Sequence, residues 1–454
     1  MKRFFTLAIA IASSFSTYSQ SLNYNDLGIL FSQDDNYGTA RYEAMSGAFG
    51  ALGGDVSSLG INPAGAAVSK KSSASITIGN RNTDITALYY GNSSATQNDY
   101  FNMTQAGGIL AFDTAYQNSE WNRFAFSFNY RIKKDYNSFY SVNGNSEFLY
   151  NTEHFNDTNT PKRQFEGAIG QRFSEERLGN SSVFNIGFSA VHQNKLFVGA
   201  SLNFHDLNFN RIGVLREEND DANGNVLNAR NTIDSYIQGS GFSIGLGFIY
   251  KLDQNLRLGL AYETPTWYQE ISEDYKNQLV LSEVRNLGIN GGTDLIDELY
   301  VYRFKTNSRI TASGAYIFGK KGLISVDYTY KDYQNIKYRE NSDSFIEANQ
   351  RFASDYRSTH ALNVGAEWRF DRMSLRGGYH YEKNPNLIAA LGGNTNKDNI
   401  KGFSAGLGYN FGNIKVDLSY RKSENIEYNT LYQTGDINLT NDTSRISGTL
   451  TINL

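Results

Sequence analysis

From about residue 72 to the C-terminus the chain alternates apolar and polar side chains with period two, the pattern of strands whose two faces meet different surroundings. Phe124, Phe126, Phe128, Tyr130 and Ile132 fall on one face, and Ala125, Ser127, Asn129, Arg131 and Lys133 on the other. Ile324, Val326 and Tyr328 oppose Ser325, Asp327 and Thr329 in the same way. Leu362, Val364, Ala366, Trp368 and Phe370 oppose Asn363, Gly365, Glu367, Arg369 and Asp371, and Ile414, Val416, Leu418 and Tyr420 oppose Lys415, Asp417, Ser419 and Arg421. Fourteen such segments are counted, an even number. Every second connection is a short turn, as at 115–120, 192–194, 253–255, 319–322, 371–372 and 412–413. The others read as long polar loops, at 92–101, 137–181, 211–230, 271–299, 337–355, 385–399 and 429–443.

Short turns at one end and long loops at the other are the pattern of a transmembrane barrel of the bacterial outer membrane. The sequence therefore predicts an all-β fold, a 14-stranded antiparallel transmembrane β-barrel. A propeller would repeat at a near-constant period, whereas the hairpins starting at 182, 231, 300, 356 and 400 are unevenly spaced. A soluble sandwich needs a second sheet over each aromatic face, while a closed barrel buries that face in lipid and has no open edge. Composition agrees: 31 Tyr, 29 Phe and 3 Trp stand in a chain whose mean hydropathy is −0.48. Aromatic residues toward strand ends suit the girdles of a barrel at its two interfaces. With no Cys there are no disulfides or thiolate metal sites, and a net charge of −4 offers nothing to a phosphate backbone. Nucleic acid is not an expected partner; outer-membrane lipid is.

Before the strands the pattern changes twice. Met1-Lys2-Arg3, the apolar run Phe4–Ala12 and the small polar stretch Ser13–Gln20 have the three regions of a secretory signal peptide, cleaved near Ser19 or Gln20. Residues 21–70 do not alternate. The stretch Arg41–Gly54 is rich in small residues and has a helix-like stripe, and Gly60-Ile61-Asn62-Pro63-Ala64-Gly65 follows. A compact segment of this length fits inside a fourteen-stranded lumen, which would otherwise hold water. The inward side chains Arg131, Asp327, Glu367, Arg369, Lys415 and Asp417 are suited to bind it by charge-assisted hydrogen bonds. Three parts result: a signal peptide at 1–19, an N-terminal hatch or plug at 20–71, and a barrel at 72–454.

With Gly38-Thr39-Ala40-Arg41, Ala48-Phe49-Gly50-Ala51-Leu52-Gly53-Gly54-Asp55 and the triplet Asn62-Pro63-Ala64 ahead of fourteen strands, the chain resembles the FadL family of outer-membrane transporters for hydrophobic compounds. The stretch Arg41–Ala64 is most similar to versions from Bacteroidota. The resemblance covers the whole chain in architecture and about residues 38–68 at the level of motif. It implies passive uptake of hydrophobic small molecules, long-chain fatty acids or similar. Ligand would be caught by the outer loops, held in an apolar pocket above the hatch, and released sideways where one strand kinks inward. Asn62, Pro63 and Ala64 would belong to the hatch and position it, through a rigid turn. Strand three carries no Pro or obvious bulge, so the candidate kink is Gly107-Gly108 in strand two. In the loop 271–299, Leu279, Val280, Leu281, Leu287, Leu295 and Ile296 have helix-like spacing and form a candidate ligand-capture surface. The alternative function is an accessory barrel in a larger secretion or assembly complex, with other outer-membrane proteins as partners.

Motifs for catalysis are weak. Gly241–Gly245 and Gly402–Gly406 both match the G-x-S-x-G nucleophile elbow, but both lie within alternating strands rather than at a strand-to-helix turn. His154, His192, His205, His360 and His380 show no metal-ligand spacing. Asn219–Gly224 imitates the start of a calcium loop, yet Arg230 stands where the closing Glu belongs. The sequence therefore predicts no enzyme, no metal and no cofactor.

Overall fold

The computed structural model describes residues 23–114, 119–284, 292–387, 398–432 and 435–454. The signal-peptide reading at 1–19 and the candidate Leu287 lie outside them. Fourteen antiparallel strands close into a barrel. They are β1 (Ser73–Tyr89), β2 (Asn92–Asp113), β3 (Trp121–Asp135, continued by Ser138–Gly144), β4 (Gly167–His192), β5 (Leu196–Asp220), β6 (Val226–Lys251), β7 (Leu256–Glu263, continued by Trp267–Val284), β8 (Gly292–Lys305, continued by Arg309–Ile317), β9 (Gly322–Asp332), β10 (Ser358–Phe370), β11 (Met373–Glu382), β12 (Ile400–Asn410), β13 (Ile414–Tyr432) and β14 (Gly435–Asn453). Pairing of β1 with β14, from Ser73↔Asn453 to Leu88↔Asn438, closes the ring.

The two faces divide as the alternation requires. Phe126, Phe128, Ile324, Trp368 and Leu418 are exposed outward, while Ser127, Asn129, Asp327, Glu367 and Asp417 are buried inward. A continuous belt of large apolar side chains around a closed sheet is a face made for lipid. Among the described residues no helix is long and apolar enough to cross a membrane. Ile132 departs from the expected phase. A bulge between Ile132 and Lys134 turns the outer part of β3 over, and Ile132 is buried.

Most of the expected loops are strand. Residues 92–101, 167–181, 211–220, 226–230, 271–284 and 292–299 continue the ladders, and β1 meets β2 through a tight turn at Tyr90-Gly91, both at positive φ. There the inward face stays buried but mixes polar with apolar side chains, Glu175, Arg177, Glu217 and Asn219 beside Phe173 and Leu215, so hydrophobic alternation fades while the hydrogen-bonded ladder continues. Within 337–355 the chain forms a helix, Asp343–Ser354, whose Phe345, Ala348 and Phe352 are buried.

Residues 23–72 lie within the ring. Helix α1 (Tyr24–Ser32) is started by a reciprocal capping box between Asn23 and Asp26, and α2 (Ala40–Ala44) by Thr39, whose side chain accepts from the Tyr42 N–H. Two 3-10 turns follow, Val56–Gly60 and Pro63–Val68. The helix at 343–354, here α3, covers α1 from the loop end. A Cβ on Gly28 would lie 2.5 Å from Phe352 Cζ.

Candidate functional site

The N-terminal segment is fastened to inward side chains around the ring. Asp34 Oδ1 and Oδ2 accept from Arg131 Nη1 and Nη2 at 2.9 and 2.7 Å, and Arg41 Nε donates to Glu367 Oε2 at 2.8 Å. The N–H groups of Phe49 and Gly50 both donate to Asp327 Oδ2, at 2.9 and 2.8 Å. Glu43 receives Arg445 Nε at 3.0 Å and Ser447 Oγ at 2.8 Å. Arg131, Asp327 and Glu367 thus make the contacts anticipated for the wall, whereas Arg369 reaches only its strand neighbour Glu367 and Asp417 pairs with Arg376.

Asn62, Pro63 and Ala64 form a turn against the wall. Asn62 Oδ1 accepts from the Ala64 N–H at 3.1 Å and starts the 3-10 turn. Its Nδ2 donates to Gly50 O at 2.7 Å and across to Phe248 O on β6 at 3.0 Å. The wall has no side chain where the turn arrives. A Cβ on Gly247 would lie 2.1 Å from Asn62 Oδ1, and one on Gly199 2.5 Å from the Ala64 nitrogen. Such wall glycines carry a signal that strand patterning alone does not register.

One irregularity of the wall is in strand three. The β2–β3 ladder stops at Gln105↔Arg131. Asp135 Oδ1 then accepts from the Asn137 N–H and Nδ2, at 3.1 and 2.7 Å, an Asx turn that interrupts the strand. Opposite it, Gly179 of β4 adopts φ +103°, exchanging bonds with the Tyr136 N–H and the Asn137 side chain. Beyond the break Ser138–Gly144 pairs with β4 alone. Toward β2 it is joined by side chains: Ser94 Oγ donates to Ser141 O, Thr96 Oγ1 to Phe139 O at 2.9 Å and Asn98 Nδ2 to Phe139 O at 3.1 Å, while the Phe139 N–H donates to Asn98 Oδ1 at 2.8 Å. At Gly107-Gly108, the candidate kink, the ladders to β1 and β3 are paired, and the bulge of β2 falls three residues earlier, at Thr104, between Gln105↔Thr77 and Met103↔Ile78. Gly107 instead makes room for Val56, whose Cγ2 would be 2.9 Å from a Cβ there.

Behind the seam lies a cavity of about 240 Å³. Its lining includes Lys134, Asp135 and Asn137 from β3, Asp34, Asp35 and Tyr37 from the N-terminal segment, and Arg421 and Arg445 from β13 and β14. Ile29, Leu30, Ile85, Tyr136, Tyr140 and Leu439 line it as well, so the space is mixed in character rather than apolar throughout. Apolar side chains are abundant nearby but close-packed: Phe31, Tyr136, Phe209, Tyr268, Phe304 and Phe352 share one buried cluster.

No protein-family model and no curated protein sequence matches the chain. Solved structures do resemble it. A Pseudomonas aeruginosa FadL homologue superposes with a TM-score of 0.55 at 14% identity, over 91% of this chain and 98% of that one. The Pseudomonas putida toluene transporter TodX gives 0.55 at 16% identity, over 93% and 100%. The Ralstonia pickettii toluene transporter TbuX gives 0.52 at 17% identity, over 92% and 98%. The chain has the FadL-type fold.

In this FadL-type barrel the candidate capture residues are strand rather than helix. Leu279, Val280 and Leu281 stand in the outer part of β7, cross-paired to Asp294, Thr293 and Gly292 of β8. Leu281 is buried beside Phe165 and Leu227, whereas Leu295 is 56% exposed and Ile296 half-buried.

The two serine motifs of the FadL-type wall are structural. Ser243 Oγ lies 2.9 Å from His205 Nε2 and donates to Glu263 Oε1 at 3.1 Å. The acid thus meets the serine and not the far nitrogen of the imidazole, so the orienting role of a triad acid is unfilled. Ser404 Oγ donates to Ala44 O at 2.9 Å and lies 2.8 Å from Ser46 Oγ, tying β12 to the N-terminal segment. In the hairpin after β5, the Asn225 side chain and then the N–H groups of Asn223 and Asn225 hold the Asp221 carboxyl below its ordinary range. Its acceptors are used within the turn. Among the described residues no cluster of acidic or histidine side chains is arranged to hold a metal.

Proposed function

We propose that this protein is a passive outer-membrane channel for hydrophobic small molecules, which it releases sideways into the bilayer through the β2–β3 seam. The observation that carries the reading is the end of the β2–β3 ladder at Gln105↔Arg131, with Lys134, Asp135 and Ser138 just beyond it on strand three lining a cavity inside the barrel. Side-chain bonds across a seam separate at lower cost than a backbone ladder, because each donor and acceptor has alternatives in water or within its own strand. A greasy molecule leaving there enters lipid without crossing water. No chemical step or energy source is required. Similarity of fold to proteins named as toluene transporters supports hydrophobic cargo as a class, and long-chain fatty acids are a second candidate class. In this reading residues 1–19 are a cleaved export signal, 20–71 the hatch seated by Asn62, Pro63 and Ala64, and 72–454 the barrel. Leu295 and Ile296, at the outer end of β8, are the first apolar surface a ligand meets.

A second reading, an accessory barrel in a larger membrane complex, is favoured by one observation. Over residues 292–302 the outer edge of β8 has no ladder partner on its β9 side among the described residues, and Leu295, Leu299 and Val301 project from it. Gentle extraction followed by native mass spectrometry separates the two. Transport predicts a barrel that leaves the membrane alone with a bound hydrophobic molecule. A barrel stably attached to other membrane proteins and free of ligand would favour the scaffold and contradict transport.

A further inference from the structure

The lumen contains a second open space, a polar cleft of about 380 Å³ at the short-turn end. It is lined by Thr39 and Arg41 of the N-terminal segment, Lys415 and Asp417 of β13 and Thr451 of β14, and reaches the turn at Asn410 and Gly412. The cavity behind the seam and this cleft share the same stretch of wall. On the N-terminal segment Tyr37 lines the first and Thr39 the second, with only Gly38 between. On β13 Arg421 lines the first and Asp417 the second, and the inward residue between them is Ser419. At about 3.4 Å of rise per residue, two such steps are on the order of 13 Å along the strand.

Helix α2 lies at this partition, with the Ala40 N–H on Thr449 Oγ1 at 2.6 Å and Ser404 Oγ on Ala44 O, and its Glu43 makes the charged contact to the wall. Glu43 is fully buried and accepts from the Gly38 N–H at 3.2 Å, from Arg445 Nε at 3.0 Å and from Ser447 Oγ at 2.8 Å. Arg445 in turn lies over the Tyr37 ring, 3.8 Å from its centroid. Ser419 Oγ is buried on β13 without a hydrogen-bond partner. A buried hydroxyl of this kind is satisfied once water enters.

We propose that the two spaces are the halves of a closed pore for small hydrophilic solutes, barred by the Glu43–Arg445 pair. The route runs along β13 and β14 and does not use the seam. Both spaces carry both signs of charge, with Asp34, Arg421 and Arg445 above and Arg41, Lys415 and Asp417 below. The pore therefore selects by size and weakly by charge. Uncharged sugars of monosaccharide size and small inorganic ions are the expected class.

The test is conductance of the purified full chain in planar bilayers filled with potassium chloride. Glu43→Ala should raise conductance over wild type on the order of tenfold, since Arg445 loses its carboxylate partner, keeps only weak bonds to the Asp35 and Asn36 carbonyls, and the layer loosens. Ser419→Phe in the same background should return it toward the wild-type level. Ser419→Cys, in a chain with no native cysteine, gives a reading that does not depend on Glu43 variants folding. A small charged thiosulfonate should label it slowly from either side of the bilayer, during transient openings of the bar, and reduce the basal current as labelling proceeds. Folded Glu43→Ala protein with wild-type conductance, or a cysteine at 419 that labels from neither side, would overturn the proposal.

Discussion

Asp34 meets Arg131 in a two-toothed ion pair, with both carboxylate oxygens on both terminal nitrogens of the guanidinium, and Arg309 Nη1 stands 3.5 Å from the same carboxylate. The pair joins the segment just after the first helix to the last rung of the β2–β3 ladder. Removal of one partner from a buried pair leaves the other charge unmatched, a cost of about 3–5 kcal/mol when nothing compensates. Arg309 compensates in part. Arg131→Ala should thus loosen residues 24–36 without unfolding the barrel. Hydrogen exchange should rise there and stay unchanged in the β4–β6 ladders.

Asn62→Ala removes three hydrogen bonds from a buried turn, each worth about 1 kcal/mol net. Gly199→Ala approaches the same contact from the wall, where a Cβ would lie 2.5 Å from the Ala64 nitrogen, and overpacking of this kind costs about 1–3 kcal/mol. Both variants should lower the unfolding temperature in detergent. Combined, they should cost less than the sum of their separate effects, because they disturb one contact.

Deletion of residues 20–71 tests the hatch directly. The barrel should still form, because every strand keeps its neighbours, and permeability to small solutes should rise sharply in liposome swelling. A folded barrel with unchanged permeability would remove the plugging role.

Ser243→Ala and Ser404→Ala should leave the protein without any change in hydrolytic activity toward ester substrates, measured with a chromogenic acyl ester. Ser404→Ala should cost stability alone, on the order of 1 kcal/mol, for its bonds to Ala44 and Ser46.

Much of the barrel is legible from period-two patterning because lipid and lumen impose opposite demands on the two faces. Phe126 against Ser127 and Leu418 against Asp417 show it residue by residue. The strands are lost from view where that opposition ends, as at Leu279–Leu281, three apolar residues in a row whose backbone remains in a ladder. The seam is lost as well. The break in β3 depends on an Asx turn at Asp135 and Asn137 together with Gly179, forty-two residues from Asn137, and no local pattern joins them. A search for Asp-x-Asn within a strand would have marked the place. The mixed character of the cavity was hidden for a related reason. Composition counts aromatic side chains but does not say which are already packed against one another, as Phe31, Tyr136 and Phe209 are.

Asn98 is the most heavily used residue of the seam, donating to and accepting from Phe139. Asn98→Ala should weaken the join and speed delivery of a hydrophobic solute several-fold, with little change in unfolding temperature, since the ladders on either side remain intact. Rates of partition into proteoliposomes measure it.

Transport through the seam is tested most directly by closing it. Thr96→Cys with Phe139→Cys places two thiols across the join in a chain that has none of its own. Cross-linking with a short, cleavable thiosulfonate, followed by uptake of radiolabelled toluene into proteoliposomes, gives the measurement. The account predicts that uptake falls to the level of empty vesicles and returns on reduction. Uptake at the wild-type rate with the cross-link confirmed by mass spectrometry would contradict it.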